Sequence, residues 1–157
     1  MSVRASAEIL SRIPVFSECE RAHLQVLAFS ARNHSFAPGE AVIKQGSPAM
    51  AAFLILDGIA DISVAERRGL RKLGSAGPGV LLGELAMISG HNYSVTATAR
   101  SLLTAAAIER ETFLRVAGEF PEFGLRVHRA MARKLEAMVS ELSVVKQVFD
   151  QARAFAR

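Results

Sequence analysis

Residues 82–99 read LGELAMISGHNYSVTATA, and the fold is decided here. Gly83 permits a tight turn that residues with a Cβ resist. Glu84-Leu85-Ala86 then open a short helix whose first amides lack partners, so they and the helix dipole can face an anion. Beside them Glu84 can accept a hydrogen bond from a sugar hydroxyl. Gly90-His91-Asn92 is a turn signal, and Val95–Ala99 is a short β-prone run.

The same rhythm extends in both directions over residues 31–108. Ala41–Ile43, Phe53–Leu56, Ile59–Val64 and Leu102–Ile108 are β-prone runs split by Pro38-Gly39, Gly46-Ser47-Pro48, Asp57-Gly58, Gly69 and Gly77-Pro78-Gly79. Short strands with turns every ten residues or so, and no βαβ alternation, predict an antiparallel barrel or roll. Residues 5–30 are predicted helical, with Ser17 and Glu20 as a capping box and Leu24, Leu27, Ala28 and Ala31 facing a core. Residues 109–157 are helical again. A short segment over Arg110–Ala117 ends at Gly118, and Pro121 suits the first turn of a longer helix. The chain is thus read as one α+β domain, 1–157.

In that longer helix Met131, Leu135, Met138, Leu142, Val145 and Phe149 repeat at alternating intervals of four and three, an a/d seam. Glu141 falls at g and Lys146 at the next e, the pairing of a parallel two-stranded coil. The expectation is a homodimer in which the first turn packs on its own chain and a second copy covers Leu142 onward. A monomer would leave a wide apolar stripe in water.

Composition narrows the function classes. Of the 157 residues 50% are hydrophobic and 22% charged, a folded rather than disordered profile. No apolar run has the length of a membrane span, and Met1–Leu10 carries no signal-peptide core. Cys19 is the one cysteine, which removes an intrachain disulfide and cysteine-ligated metal sites and points to a reducing, cytoplasmic setting. The net charge of +4 invites a nucleic-acid reading. Its basic residues are scattered, though, and with no Trp and one Tyr a stacking platform has little to draw on. No nucleophile–base arrangement, HExxH, Walker or dinucleotide glycine motif is present, and His23, His34, His91 and His128 are far apart in sequence. Enzyme activity, a resident cofactor and a metal are therefore not expected.

Together these segments resemble the cyclic-nucleotide-binding domain family, in the branch of catabolite-activator and fumarate-nitrate type regulators. Ile13-Pro14-Val15-Phe16, Pro38-Gly39-Glu40, Gln45-Gly46, Leu56-Asp57-Gly58, Gly83-Glu84-Leu85-Ala86, Phe120-Pro121 and Met131-Ala132-Arg133-Lys134-Leu135 carry the resemblance in order. It implies an eight-stranded, jelly-roll-like β-roll with N-terminal helices and a long C-terminal dimerisation helix. It also implies a ligand, a cyclic nucleotide such as cAMP or cGMP. Glu84 takes the ribose 2′-hydroxyl, Gly83, Leu85 and Ala86 supply backbone around ribose and phosphate, Ser94 bonds the phosphate, and Met138 and Val139 cover the base.

One position departs from the pattern. Where the family has an arginine on the phosphate, this chain has Tyr93. A tyrosine donates once and is neutral, so losing a charge-assisted bond of about 1.5–3 kcal/mol implies roughly 10- to 100-fold weaker binding unless another group replaces it. Met138 and Val139 offer the base no hydrogen bond. The expectation is a regulatory sensor acting on a downstream partner. The alternatives are a ligand-free dimeric scaffold with a degenerate pocket, and the sensor half of a regulator whose helix-turn-helix domain is missing from this chain, which stops at Arg157.

Overall fold

A computed structural model describes residues 2–155. Helix α1 (Val3–Ser11), a 3-10 turn (Pro14–Phe16) and helix α2 (Arg21–Ser30) come first. Eight strands follow: β1 (Arg32–Phe36), β2 (Ala41–Ile43), β3 (Ala51–Asp57), β4 (Ala60–Glu66), β5 (Gly69–Ala76), β6 (Leu81–Leu82), β7 (Thr96–Ala99) and β8 (Leu103–Glu109). Between β6 and β7 lies helix α3 (Glu84–Ser89), and α4 (Arg110–Glu119) and α5 (Pro121–Phe155) complete the described chain.

All strand pairs are antiparallel, in two sheets ordered β1-β8-β3-β6 and β2-β7-β4-β5. This is the α+β roll that the turn rhythm predicts. Leu54 and Ile55 of β3, Leu103 and Ile108 of β8 and Met87 of α3 are fully buried. The two helical ends share one core, since Phe16 stacks on Phe123 with ring centroids 6.4 Å apart and Phe113 meets Phe123 edge-on at 5.8 Å.

Two local expectations are corrected. Ser17 and Glu20 do not form a capping box, because Pro14 starts a 3-10 turn and the Ser17 hydroxyl donates back to the Pro14 carbonyl at 2.9 Å. Helix α2 opens after Glu20 with no side-chain cap, and still buries Leu24 and Leu27. Three strands, β1, β5 and β6, fall outside the β-prone runs of the sequence. β1 (RNHSF) is largely polar and exposed, and β5 is exposed along nearly its whole length, so neither shows an apolar alternation.

Helix α5 begins at Pro121, as its sequence requires, and buries only Phe123 and Val127 completely. From Leu135 to Phe155 every described residue is exposed. At about 1.5 Å per residue the helix is about 50 Å long, and its far half stands clear of the roll.

Candidate functional site

Glycines bracket α3 on both sides. Gly83 (φ 78°) and Gly90 (φ 75°) are in the left-handed region, before and after its six residues. The Gly83 carbonyl accepts from the Met87 amide at 3.0 Å, and Met87 anchors the helix in the core. Gly90 leaves room for Arg110, whose Nε donates to the Met87 carbonyl at 2.9 Å, closing the helix's last turn from below.

Glu84 occupies the first turn of α3, where its charge suits the helix dipole. Its side chain is only 14% exposed and reaches across to α5, where Lys134 Nζ donates to Oε1 at 3.4 Å. A cleft of about 290 Å³ lies alongside. Leu85, Ala86, His91 and Ser94 form its cassette side, and Met131 and Leu135 of α5 the other. Of the residues expected to hold a ligand, Leu85, Ala86 and Ser94 line this cleft, and Gly83 and Glu84 immediately precede Leu85 on the chain. Met138 and Val139 lie one turn and more beyond Leu135 and are 48% and 61% exposed.

Tyr93 is placed differently from the rest. Its ring is 8% exposed and sits against Gly83, where an added Cβ would come within 2.6 Å of the ring. Its hydroxyl donates to the Ala51 carbonyl at 2.5 Å, and burial pushes the phenol above its ordinary pKa. The backbone around it is fixed as well, with Tyr93 N–H on the Ser47 carbonyl and Gly46 N–H on the Tyr93 carbonyl, both at 2.9 Å. In this conformation the one side-chain donor of Tyr93 is used within the fold.

A second cleft, of about 320 Å³, flanks Lys134 on its other side, between Pro14, Glu18 and Arg133. Arg133 bonds Glu18 there and lowers its pKa below the usual carboxylate range, while Arg126 donates to the Glu18 carbonyl at 3.1 Å. Sequence reasoning gave no role to Lys134, Arg133 or Arg126. Arg133 and Lys134 entered only within the Met131–Leu135 run that carries the resemblance, and Arg126 carried no signal. Among the described residues no group of histidine, cysteine or acidic side chains could hold a metal ion.

Comparison with known proteins now bears on this arrangement. A family model described as the cyclic nucleotide-binding domain matches residues 33–119, from β1 to the end of α4 and over half the chain. The chain belongs to the cyclic nucleotide-binding domain family. A curated relative, the acetyltransferase Pat of Mycolicibacterium smegmatis, is 27% identical over 138 residues, covering 86% of this chain but 40% of the relative. This cyclic nucleotide-binding domain thus spans two fifths of that relative's length. The N-terminal domain of a transcriptional regulator from Streptomyces coelicolor superposes with a TM-score of 0.74 at 23% identity, covering 83% of this chain and 94% of that one. The catabolite activator protein of Thermus thermophilus superposes with a TM-score of 0.70 at 22% identity, covering 85% of this chain and 63% of that one. These likenesses establish the β-roll fold. Among the described residues, no helix is long and apolar enough to cross a membrane.

Proposed function

We propose that this chain is a non-catalytic regulatory domain that holds a cyclic nucleotide between α3 and α5 and signals through α5. The observation that carries the reading is the Glu84–Lys134 contact, which ties the carboxylate suited to a ribose to the helix suited to respond. A ribose 2′-hydroxyl donating to Glu84 competes with Lys134. A partly exposed pair of this kind is worth at most about 1 kcal/mol, so a ligand displaces it at little cost. Occupancy then favours one arrangement of α5 over another, and the switch is as large as the difference in ligand affinity between the two.

The output belongs to the same reading. Leu135, Met138, Leu142, Val145 and Phe149 are 47–68% exposed along one face of α5, a face of the kind a second copy buries. In a longer protein the helix would pass the signal to an attached or bound unit, and the acetyltransferase and regulator relatives offer two such architectures. A cytoplasmic setting is part of the proposal, given one cysteine in the whole sequence.

Titration calorimetry with cyclic AMP, cyclic GMP and a cyclic dinucleotide tests the proposal, with Glu84→Ala as the control. Heat that disappears in Glu84→Ala supports it, and no heat with any of the three ends it. A second reading, a ligand-free dimeric scaffold, is favoured by the inward Tyr93, whose hydroxyl is committed to Ala51. Thermal stability separates the two, because a ligand at 100 times its Kd adds about 2.7 kcal/mol and a scaffold gains nothing.

A further inference from the structure

We infer that His91 supplies the positive charge on the ligand phosphate that the chain lacks at Tyr93. This rests on the cyclic-nucleotide reading above and names the group that would make it work. Several other basic side chains on the roll are already paired. Arg71 pairs with Glu66 at 2.8 Å, Arg100 with Asp61 at 2.5 Å, and Arg110 bonds the Met87 carbonyl. Lys134 pairs with Glu84 at 3.4 Å.

His91 is exposed and lines the same cleft as Ser94. Its backbone is pinned on both sides, by its N–H on the Ala86 carbonyl at 3.0 Å and by Ala49 N–H on its own carbonyl at 3.2 Å. Its ring is held too. Ser89 Oγ lies 2.8 Å from Nδ1 and 2.7 Å from the Leu85 carbonyl oxygen. The contact engages Nδ1 and leaves Nε2 as the free ring atom. Neutral, the ring brings no charge to a phosphate oxygen. Protonated, it donates a charge-assisted bond. The charge is thus conditional, where the family's arginine is permanent.

The surrounding charges are few. Arg110 packs under Gly90, and the Glu84–Lys134 pair lies on the side of α3 and α5. The adjoining segment Gly46–Met50 has no ionisable side chain, and α5 presents Met131 and Leu135 to the cleft. A cyclic phosphodiester keeps one negative charge throughout the neutral range, so the pH dependence of binding belongs to the protein.

The test is the affinity for cyclic AMP from pH 8.5 to 5.5, a window above the range in which carboxylates ordinarily titrate. Affinity is expected to rise about ten-fold as pH falls, the size of one charge-assisted bond. His91→Gln, which can still bond Ser89, is expected to stay at the weak alkaline level at every pH. His91→Lys is expected to stay at the tight level, and Lys134→Met to keep the wild-type slope. Adenosine, which lacks the phosphate, should bind without pH dependence. Binding with the same profile in wild type and His91→Gln overturns the role of His91 and leaves the cyclic-nucleotide reading standing. A slope that follows Lys134→Met instead assigns the charge to Lys134 and also overturns it. Absence of binding at every pH, in wild type and His91→Lys alike, overturns the reading itself.

Discussion

Tyr93→Phe removes one oxygen and keeps the ring, so it separates the two tasks a hydroxyl at this position could perform. In the structure that hydroxyl donates to the Ala51 carbonyl at 2.5 Å from a ring that is 8% exposed. The aromatic packing against Gly83 survives the change, so no cavity forms and the cost is that of the hydrogen bond alone. A net bond is worth about 1 kcal/mol, and the partly buried carbonyl left behind raises the loss to about 1–2 kcal/mol. For a chain of this size each kcal/mol moves Tm by about 2–4 °C, so a fall of about 2–8 °C is expected by scanning calorimetry. Cyclic nucleotide affinity, read by titration calorimetry, should change less than two-fold. An unchanged Tm with ten-fold weaker binding would refute the assignment, because the hydroxyl would then be reaching the phosphate. Tyr93→Arg gives a complementary result. It restores the residue of the family pattern but gives up a buried ring, so its Tm should fall further than that of Tyr93→Phe.

Gly58→Ala should lower stability by at least about 2 kcal/mol in a urea melt, since left-handed backbone alone costs an L-residue about 1–2 kcal/mol. Its φ is 91°, and an added Cβ would stand 2.5 Å from the Leu102 carbonyl oxygen, an atom with no freedom to yield. Gly39→Ala, at a similar φ of 90° but in open space, should lose only the conformational part. Leu142→Glu, at a side chain 68% exposed in the single chain, should convert a dimer to a monomer in light scattering while leaving the urea midpoint of the roll nearly unchanged. The same mass before and after would show that no second copy covers this face. Asp61 has its pKa lowered, first by the hydrogen bond from Arg100 and then by Lys72. A depressed carboxylate stabilises above its unfolded pKa and loses that contribution as pH falls through the folded value. The stability gap between wild type and Asp61→Asn should therefore close below about pH 4, the ordinary aspartate value, and a gap that widens in acid would contradict the pairing.

The cassette was legible because backbone chemistry wrote it. Gly83 and Gly90 both occupy left-handed backbone, and between them Met87 is the apolar residue that must go inward. Strand β8 was legible for a similar reason, since its inward face carries an apolar run. β5 was hidden because an edge strand exposed along its length has no reason to alternate. Ser17 and Glu20 have the spacing of a capping box, but a proline three residues earlier had already set a tighter turn. The direction of Tyr93 was illegible for another reason. It depends on a slot opened by the absent Cβ of Gly83, ten residues away, and on a carbonyl of β3 more than forty residues away. Local pattern carries neither. The same holds for Lys134, whose significance appears only when α5 is laid across α3.

Met131 and Leu135 are at once the first positions of the heptad seam and the α5 wall of the cleft. Phe123 and Val127 fix the base of the helix in the core, and exposure becomes continuous at Leu135. The boundary between held and free helix therefore falls at the cleft itself, with Lys134 on Glu84 and Arg133 on Glu18 gripping the same turn from opposite sides. Under the proposed function, a ligand need not push a rigid rod over a long distance. It needs only to change which of these two contacts is made, because the length beyond them is unsupported by its own chain and takes its direction from that turn. This places the control of pairing in the one turn that the sequence alone assigned merely to packing.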